Sequence, residues 1–147
     1  MILGYKMYWD WGGFTNFAQK ILKGIKKHSI REDKKDRWRS GMKIQHAHGV
    51  RTKRYLMFLE GECKSTQRIK IERHDGVLND DYYVYRVTIK SVEFIMGFKV
   101  TVDDRIMNRE TIDLIAKNDG FDSTKDFFTW FWDGFSGKII HFTDLKY

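Results

Sequence analysis

The segment GIKKHSIRED, Gly24 to Asp33, concentrates residue types that could do chemistry. Lys26 could act as a base or a nucleophile, because partial burial and neighbouring cations lower the pKa of a lysine ammonium. Ser29 could supply a hydroxyl, or position a water, for attack on an acyl or amide carbon. The alternative is a solvated loop in which Lys26 is a surface charge and Ser29 bonds the backbone.

Alternation along an extended segment does not by itself join these two residues. Lys26 and Ser29 are three positions apart, and successive side chains of a strand point to opposite faces. Arg31 shares the parity of Ser29. A twist or bulge is therefore needed before Lys26 and Ser29 can share one cleft. Lys27, His28 and Arg31 are the cations expected to lower the pKa of Lys26.

A third candidate, Asp119, lies where a late helix is predicted to end. In NRETIDLIAKNDG, Asn108 suits an N-cap and Gly120 suits the residue after the helix. A negative charge is disfavoured beside a helix C-terminus, so we expect a raised pKa for Asp119. A carboxyl of that kind suits a proton donor to a leaving amine. The alternative is that Asp119 only helps to stop the helix.

Several residues suit the binding of a nucleotide rather than catalysis. The cations suited to phosphate or base-edge contacts are Arg31, Arg51, Lys53 and Arg54. Phe14 and Trp38 flank the basic segment and could stack an unpaired base, although Trp38 could instead plug the end of a barrel. His141 could line a cleft near the C-terminal end, or be a buried, hydrogen-bonded histidine.

The sequence does not predict a metal or another cofactor. His46 and His48 lie two apart on a predicted strand, so both rings face one side. Zinc needs three or four ligands, and no Cys/His pair at finger spacing completes the set. Cys63 is the one cysteine and has no nearby partner that would make it a nucleophile. No glycine-rich phosphate loop is present.

Composition favours one folded domain over residues 1–147. The chain is 41% hydrophobic and 16% aromatic, has no proline, and shows no repeat or linker. No apolar run has the length of a membrane span, and the first residues lack a signal-peptide layout. With a single cysteine, these features predict a soluble cytoplasmic protein, in a host cytoplasm if it is phage-encoded. The net charge of +7 favours polyanion partners such as RNA.

Hydrophobic periodicity predicts an α+β fold. One early helix, FTNFAQKILKGI, has Thr15 as a plausible N-cap and Gly24 near its end. Strands are predicted in MKIQHAHG, RTKRYLMFLEGEC, TQRIKIERH, DYYVYRVTIKSV, FKVTVDDRI and GKIIHFTDLKY. The segment KKHSIRE could be a short strand or an extended loop. Two late helices follow Asn108 and Ser123, the second with buried aromatics in DFFTWFW. We expect a small barrel-like sheet of about five or six strands flanked by helices.

Four motifs occur in an order that resembles a known family. They are ILKGIKKHSIRED, RWRSGMKI, IAKNDGFDSTKDFFTWF and GKIIHFTDLKY. Each is short, but their order and spacing resemble the landmarks of ASCH domains, which belong to the PUA-like superfamily. The middle of the chain, residues 54–104, matches only as generic strands. The resemblance implies a β-barrel flanked by helices, a cleft beside the basic segment, and RNA, nucleotide or modified-nucleoside ligands.

The resemblance also implies a catalytic alternative. Small ASCH amidohydrolases that deacetylate N4-acetylcytidine use a lysine, a threonine three residues later, and a distant carboxylate. Carried onto this chain, the trio falls on Lys26, Ser29 and Asp119, with Ser for Thr and Asp for Glu. The second difference shortens the reach of the acid by a methylene. Binding is therefore the favoured hypothesis, ahead of amidohydrolase activity and of recognition of another protein's acidic surface.

Overall fold

Alternating apolar residues build the strands of this protein. The computed structural model describes residues 1–76 and 79–147, and in these it contains nine strands. They are β1 Ile2–Tyr5, β2 His28–Arg31, β3 Lys43–His48, β4 Leu56–Glu62, β5 Ser65–Asp75, β6 Tyr83–Ile89, β7 Val92–Val102, β8 Arg105–Ile106 and β9 Phe135–His141. In β5, Ile69 and Ile71 are buried and Lys70 between them is exposed, as the alternation predicted.

Hydrogen bonds join these strands into two sheets. In the smaller sheet, β1 runs parallel to β3, and β4 pairs antiparallel with β3. The larger sheet has the order β2-β9-β5-β7-β6, with β8 added beside β7. Across the described residues neither sheet closes into a ring of hydrogen bonds. The α+β class is confirmed, and there are more strands than the five or six expected.

Three short helices complete the fold. They are α1 Phe17–Leu22, α2 Arg109–Asn118 and α3 Thr124–Trp130. The predicted caps of the late helices are confirmed, because Asn108 accepts a hydrogen bond from the Thr111 N–H and Ser123 accepts one from the Asp126 N–H. No helix in the described part of the chain is long and apolar enough to cross a membrane.

The start of α1 differs from the prediction by one residue. The N-cap is Asn16, which takes a left-handed conformation with φ 55°, and not Thr15. The Thr15 hydroxyl instead donates to the carbonyl of Lys6, which ties the helix to the preceding loop. Phe17 is buried but Leu22 is 60% exposed, so only part of the predicted apolar stripe of α1 enters the core.

Aromatic rings fill the core between the larger sheet and α3. Phe127, Phe128 and Phe131 are buried, which confirms a core role for three of the five aromatics in DFFTWFW, but Trp130 is only partly buried and Trp132 is 38% exposed. Phe98 of β7 stacks on Phe128 with ring centroids 4.2 Å apart. Such ring contacts stabilise the core beyond the effect of burying apolar area, because offset and edge-on ring pairs attract each other.

The backbone between α1 and β2 is fixed against the end of α2. The Lys27 N–H donates to the Asn118 carbonyl at 2.7 Å, and the Phe142 N–H donates to the Lys27 carbonyl at 3.0 Å. These bonds bring the segment before β2 beside the residues that follow α2. Two of the three predicted catalytic residues, Lys26 and Asp119, therefore come from neighbouring backbone.

Candidate functional site

Lys26 points into the protein from the turn after α1. Gly24 has a positive φ of 71°, a conformation that favours glycine, and the Lys26 N–H donates to the Lys20 carbonyl. The Lys26 side chain then runs between two rings. Its Nζ lies 4.6 Å from the ring centroid of Phe17 and 5.8 Å from that of Tyr5. Lys26 is only 3% exposed, so it is not the solvated charge of the alternative interpretation.

Asp119 reaches Lys26. Its Oδ1 lies 2.8 Å from Lys26 Nζ and accepts a second bond from the Ile30 N–H at 3.2 Å. Lys26 Nζ also donates to the main-chain carbonyl of Asp119. Asp119 is the C-cap of α2, as predicted, and is 4% exposed. The pair is a buried, hydrogen-bonded ion pair, whose strength depends on such additional bonds.

The pKa of Lys26 is lowered to about 8. Burial is the main cause, because it disfavours the charged form, and the charges of Arg31 and Lys20 act in the same direction. Asp119 opposes them. The predicted direction is therefore confirmed, with burial more important than neighbouring cations. His28 does not act as one of those cations, since burial lowers its own pKa.

The expectation of a raised pKa for Asp119 is wrong. Burial raises the pKa of Asp119, but the charge of Lys26 and the contacts from His28 together lower it by more. The net shift of this pKa is therefore downward. The helix-terminus effect on which the expectation rested is worth about 0.3–1 kcal/mol. A direct ion pair in a buried site outweighs that effect. Asp119 is thus an ionised acceptor and not a proton donor.

A chain of polar contacts continues from Asp119 through His28 to Tyr147. Tyr147 Oη lies 2.8 Å from His28 Nε2 and accepts from Asn118 Nδ2 at 3.0 Å. All three groups are satisfied when the tyrosine hydroxyl donates to Nε2. His28, which is fully buried, then carries its proton on Nδ1, which lies 3.5 Å from Asp119 Oδ1 and has no hydrogen-bond partner among the described residues.

Ser29 is close in sequence but is not bonded to the pair. It is 1% exposed, and its Oγ has no hydrogen-bond partner among the described residues. The parity argument is consistent with this result, because β2 begins at His28 and turns Ser29 away from the His28 face. The structure thus brings together Lys26 and Asp119 and leaves the Ser29 hydroxyl separate from them.

Two of the predicted ligand-binding residues have internal partners. Arg31 donates from Nη2 to the Gly4 carbonyl at 2.7 Å, and its guanidinium lies 5.4 Å from the ring centroid of Tyr5. His141 is fully buried, with Nε2 3.0 Å from Gln67 Oε1, and burial lowers its pKa to about 4. Arg31 therefore ties β2 to β1, and His141 is the buried, hydrogen-bonded histidine of the alternative interpretation.

Three other predicted ligand-binding residues lie apart from the Lys26–Asp119 pair. Trp38 is 4% exposed and belongs to the core, so little of its ring is free to stack a base. Arg51 and Lys53 are both exposed in the turn between β3 and β4. Their side chains remain open to solvent, as phosphate contacts require.

Phe14 lines a cavity next to the buried pair. This aromatic cavity has a volume of about 430 Å³, and its walls include Tyr5, Phe14, Phe17 and His48. Phe14 is 60% exposed and packs on Tyr8 with centroids 4.9 Å apart. Tyr5 and Phe17 line the cavity and also contact Lys26 Nζ. These two rings therefore separate the aromatic cavity from the buried ammonium.

The histidines of β3 have separate surroundings. His46 Nδ1 lies 2.8 Å from Tyr5 Oη, and burial lowers the pKa of His46 to about 4. His48 lies at the edge of the aromatic cavity, with its ring stacked on Phe58. Within residues 1–76 and 79–147, no three His, Cys, Asp or Glu side chains are grouped as a metal site requires.

Sequence reasoning missed the residues that surround the pair. Tyr5 was not assigned to any element, and His28 was considered only as a nearby cation. Tyr147 lies 119 residues from His28, a contact that no local pattern indicates. A signal was available for His28, because it shares the parity of Lys26 in the extended segment.

Comparison with known proteins identified no relative of this chain. No protein-family model, no curated protein and no solved structure matches the chain. The geometry of the aromatic cavity and of the buried pair is therefore the basis for the functional argument.

Proposed function

We propose that this chain is an ASCH-like protein that binds RNA, a nucleotide or a modified nucleoside, with one base held in the aromatic cavity. The observation that carries the proposal is the cavity itself. Its volume of about 430 Å³ is within the range typical of small-ligand sites. The Phe14 ring, 60% exposed at its wall, offers the stacking surface by which proteins hold unpaired bases.

The charges around the cavity support an electron-rich ligand. Lys26 and Arg31 lie against the Tyr5 ring, and Asp119 neutralises one of them, which leaves one net positive charge. Lys6 also lines the cavity. Its ion pair with Asp10 is largely exposed, and exposed pairs are weak, so Lys6 remains available to a phosphate.

The test is a calorimetric titration with cytidine, cytidine 5′-monophosphate and N4-acetylcytidine. At least one of them should bind, and Phe14→Ala should weaken that binding roughly ten- to hundredfold, the effect of removing one stacking ring. Phe94→Ala is the matched control, because Phe94 is 47% exposed on β7 and does not line the cavity. Binding unaffected by Phe14→Ala, or no binding at millimolar ligand, would contradict the proposal.

A second candidate, an amidohydrolase acting on an acylated nucleoside such as N4-acetylcytidine, is favoured by one observation. Asp119 reaches Lys26, and the pKa of that lysine is lowered to about 8. Roughly a quarter of Lys26 is then neutral at pH 7.5 and able to accept a proton. Against this candidate, Lys26, Ser29 and Asp119 do not line the aromatic cavity, whose walls include Tyr5 and Phe17.

The hydrolytic steps require Ser29 to approach Lys26. Neutral Lys26 takes the proton of the Ser29 hydroxyl while Oγ forms a bond to the acetyl carbon. The ammonium then returns this proton to N4 as the amide C–N bond breaks, which releases cytidine. Water hydrolyses the acetyl ester in the same manner. Incubation with N4-acetylcytidine followed by chromatography tests this candidate, with Lys26→Ala alongside; no cytidine at high protein concentration would exclude it.

A further inference from the structure

A second cavity, of about 640 Å³, lies at the other end of α1 and is lined by four cationic side chains and by no acidic side chain. Its charged lining residues are Lys27, Arg105, Lys117 and Lys146, and no Asp or Glu lines it. We call this cavity the cationic groove. None of the four side chains takes part in an ion pair with another residue in the described ranges.

This imbalance is not shared by a larger charged cavity of the protein. A cavity of about 800 Å³ beside β5 and β9 contains Lys138, Arg68 and several acidic residues. There, Lys138 pairs with Asp33 at 3.2 Å, and Arg68 pairs with Asp104 at 2.8 Å. Its charges are largely neutralised within the protein. The cationic groove therefore concentrates charge locally and does not simply reflect the overall net charge.

Hydrogen bonds and secondary structure hold the residues that carry the cations of the groove. Lys27 is held on both sides, by the Asn118 carbonyl and the Phe142 N–H. Arg105 Nη2 donates to the main-chain oxygen of Tyr147 at 2.7 Å, which orients its guanidinium and leaves other N–H donors free. Lys117 lies in the last turn of α2. The backbone positions of Lys27 and Lys117 and the orientation of the Arg105 guanidinium are thus set before a ligand arrives.

The groove also has apolar surface. Ile25 is 44% exposed and Leu114 is 47% exposed, and both line it. A ligand that matches the groove carries several negative charges together with flat apolar faces. Single-stranded nucleic acid has this character, because its phosphates are charged and its unpaired bases are apolar on their faces.

We propose that the cationic groove binds the sugar–phosphate backbone of a single-stranded RNA. This inference rests on the proposed function, in which a base of the same strand occupies the aromatic cavity. The two cavities lie at opposite ends of α1, since Phe17 lines the first and the Gly24–Ile25 turn lines the second. Six helical residues span about 9 Å, roughly the rise of three stacked nucleotides.

The test is fluorescence anisotropy of a 5′-fluorescein-labelled ten-residue oligouridylate at several salt concentrations. The variant carries Lys27→Gln, Lys117→Gln and Lys146→Gln. The control carries Lys35→Gln, Arg37→Gln and Lys125→Gln, which removes three exposed, unpaired charges from the described surface outside the groove. Losing three phosphate contacts should reduce the slope of log K against log salt by about 2, and the control should keep the wild-type slope.

The outcomes separate this inference from the proposed function. If the groove variant binds the oligonucleotide with the slope of the control, the groove is not the backbone site, while nucleoside binding at Phe14 is unaffected by that result. If the nucleosides do not bind but the binding of the oligonucleotide to the groove variant loses its salt dependence, the base site in the aromatic cavity is refuted and the groove is supported as the backbone site. Displacement by an equal-length oligoglutamate as effective as unlabelled oligouridylate would overturn recognition of nucleic acid. No binding of the oligouridylate by the wild-type protein at low salt overturns the inference about the groove, while the calorimetric titration with nucleosides decides the base site separately.

Discussion

Lys26 Nζ lies 2.8 Å from Asp119 Oδ1, although 93 residues separate them in the sequence. Both side chains are almost fully buried, so their attraction must offset the free energy of removing two charges from water. The pair also lies directly behind the walls of the aromatic cavity. Its contribution to folding and its state of ionisation are therefore the first properties to measure.

Lys26→Met should lower the free energy of unfolding by about 3–5 kcal/mol, because it leaves the Asp119 carboxylate buried without its cation. The double variant Lys26→Met with Asp119→Leu should recover much of this loss, since no unpaired charge remains. Urea denaturation at pH 7 measures both. Lys6→Met is the control, because the Lys6–Asp10 pair is exposed and should be worth less than about 1 kcal/mol. Equal costs at Lys6 and Lys26 would refute the prediction.

Stability should depend on pH through Lys26. Its pKa falls from 10.5 to about 8 on folding, so between these values the unfolded chain holds more protons than the folded one. The free energy of unfolding therefore rises with pH across this window, by about 3 kcal/mol in total if Lys26 acts alone. Below pH 8 the unfavourable contribution of its burial is fully present.

The measurement is the difference in unfolding free energy between wild type and Lys26→Met from pH 8 to 9.5. This difference should increase with pH at up to about 1.4 kcal/mol per unit. The upper limit avoids the tyrosines, whose burial-raised pKa values, as at Tyr83 and Tyr147, act in the opposite direction. A flat difference would mean that Lys26 titrates normally.

Gly120 should tolerate alanine less well than Gly41 does. Both have a positive φ, of 91° and 86° respectively, so both substitutions carry the same backbone strain. A Cβ at Gly41 meets open space, but at Gly120 it would lie 3.0 Å from Phe17 Cδ1 and 3.1 Å from Lys26 Cδ. The additional crowding should cost Gly120→Ala a further 1–3 kcal/mol, roughly. Equal losses in urea denaturation would show that these side chains move aside freely.

The sequence predicted the features that depend on neighbouring residues. The cap at Asn108, the end of α2 at Asp119 and the alternation at Ile69 and Ile71 follow from local chemistry and are confirmed. The division into two sheets depends on pairings such as β1 with β3, which no local pattern encodes. For this reason the strand count was underestimated.

The candidate site was predictable in its residue types and not in its environment. Family resemblance singled out Lys26 and Asp119, and the structure joins them. The protonation expected for Asp119 was wrong because a local helix effect was considered without the distant ammonium. Trp38 was considered as a stacking residue, but its 4% exposure results from tertiary packing. A single sequence does not show which side chains are buried or which distant residues they contact.

Tyr147→Phe should destabilise the protein and raise the pKa of His28. The hydroxyl satisfies His28 Nε2 and Asn118 Nδ2, and both residues are buried. Leaving such groups unpaired costs about 1–3 kcal/mol. A bond donated to Nε2 also favours the neutral ring, so its loss moves the pKa of His28 upward, toward its ordinary value.

Urea denaturation and an NMR titration of the His28 ring nitrogens test these two effects together. Before substitution the proton should reside on Nδ1, facing Asp119 Oδ1 at 3.5 Å. Tyr8→Phe is the matched control, because Tyr8 is 57% exposed and its hydroxyl can be satisfied by water. A proton on Nε2 in the wild-type protein would reverse the assigned donor order, and it would disconnect Tyr147 from the Lys26–Asp119 pair.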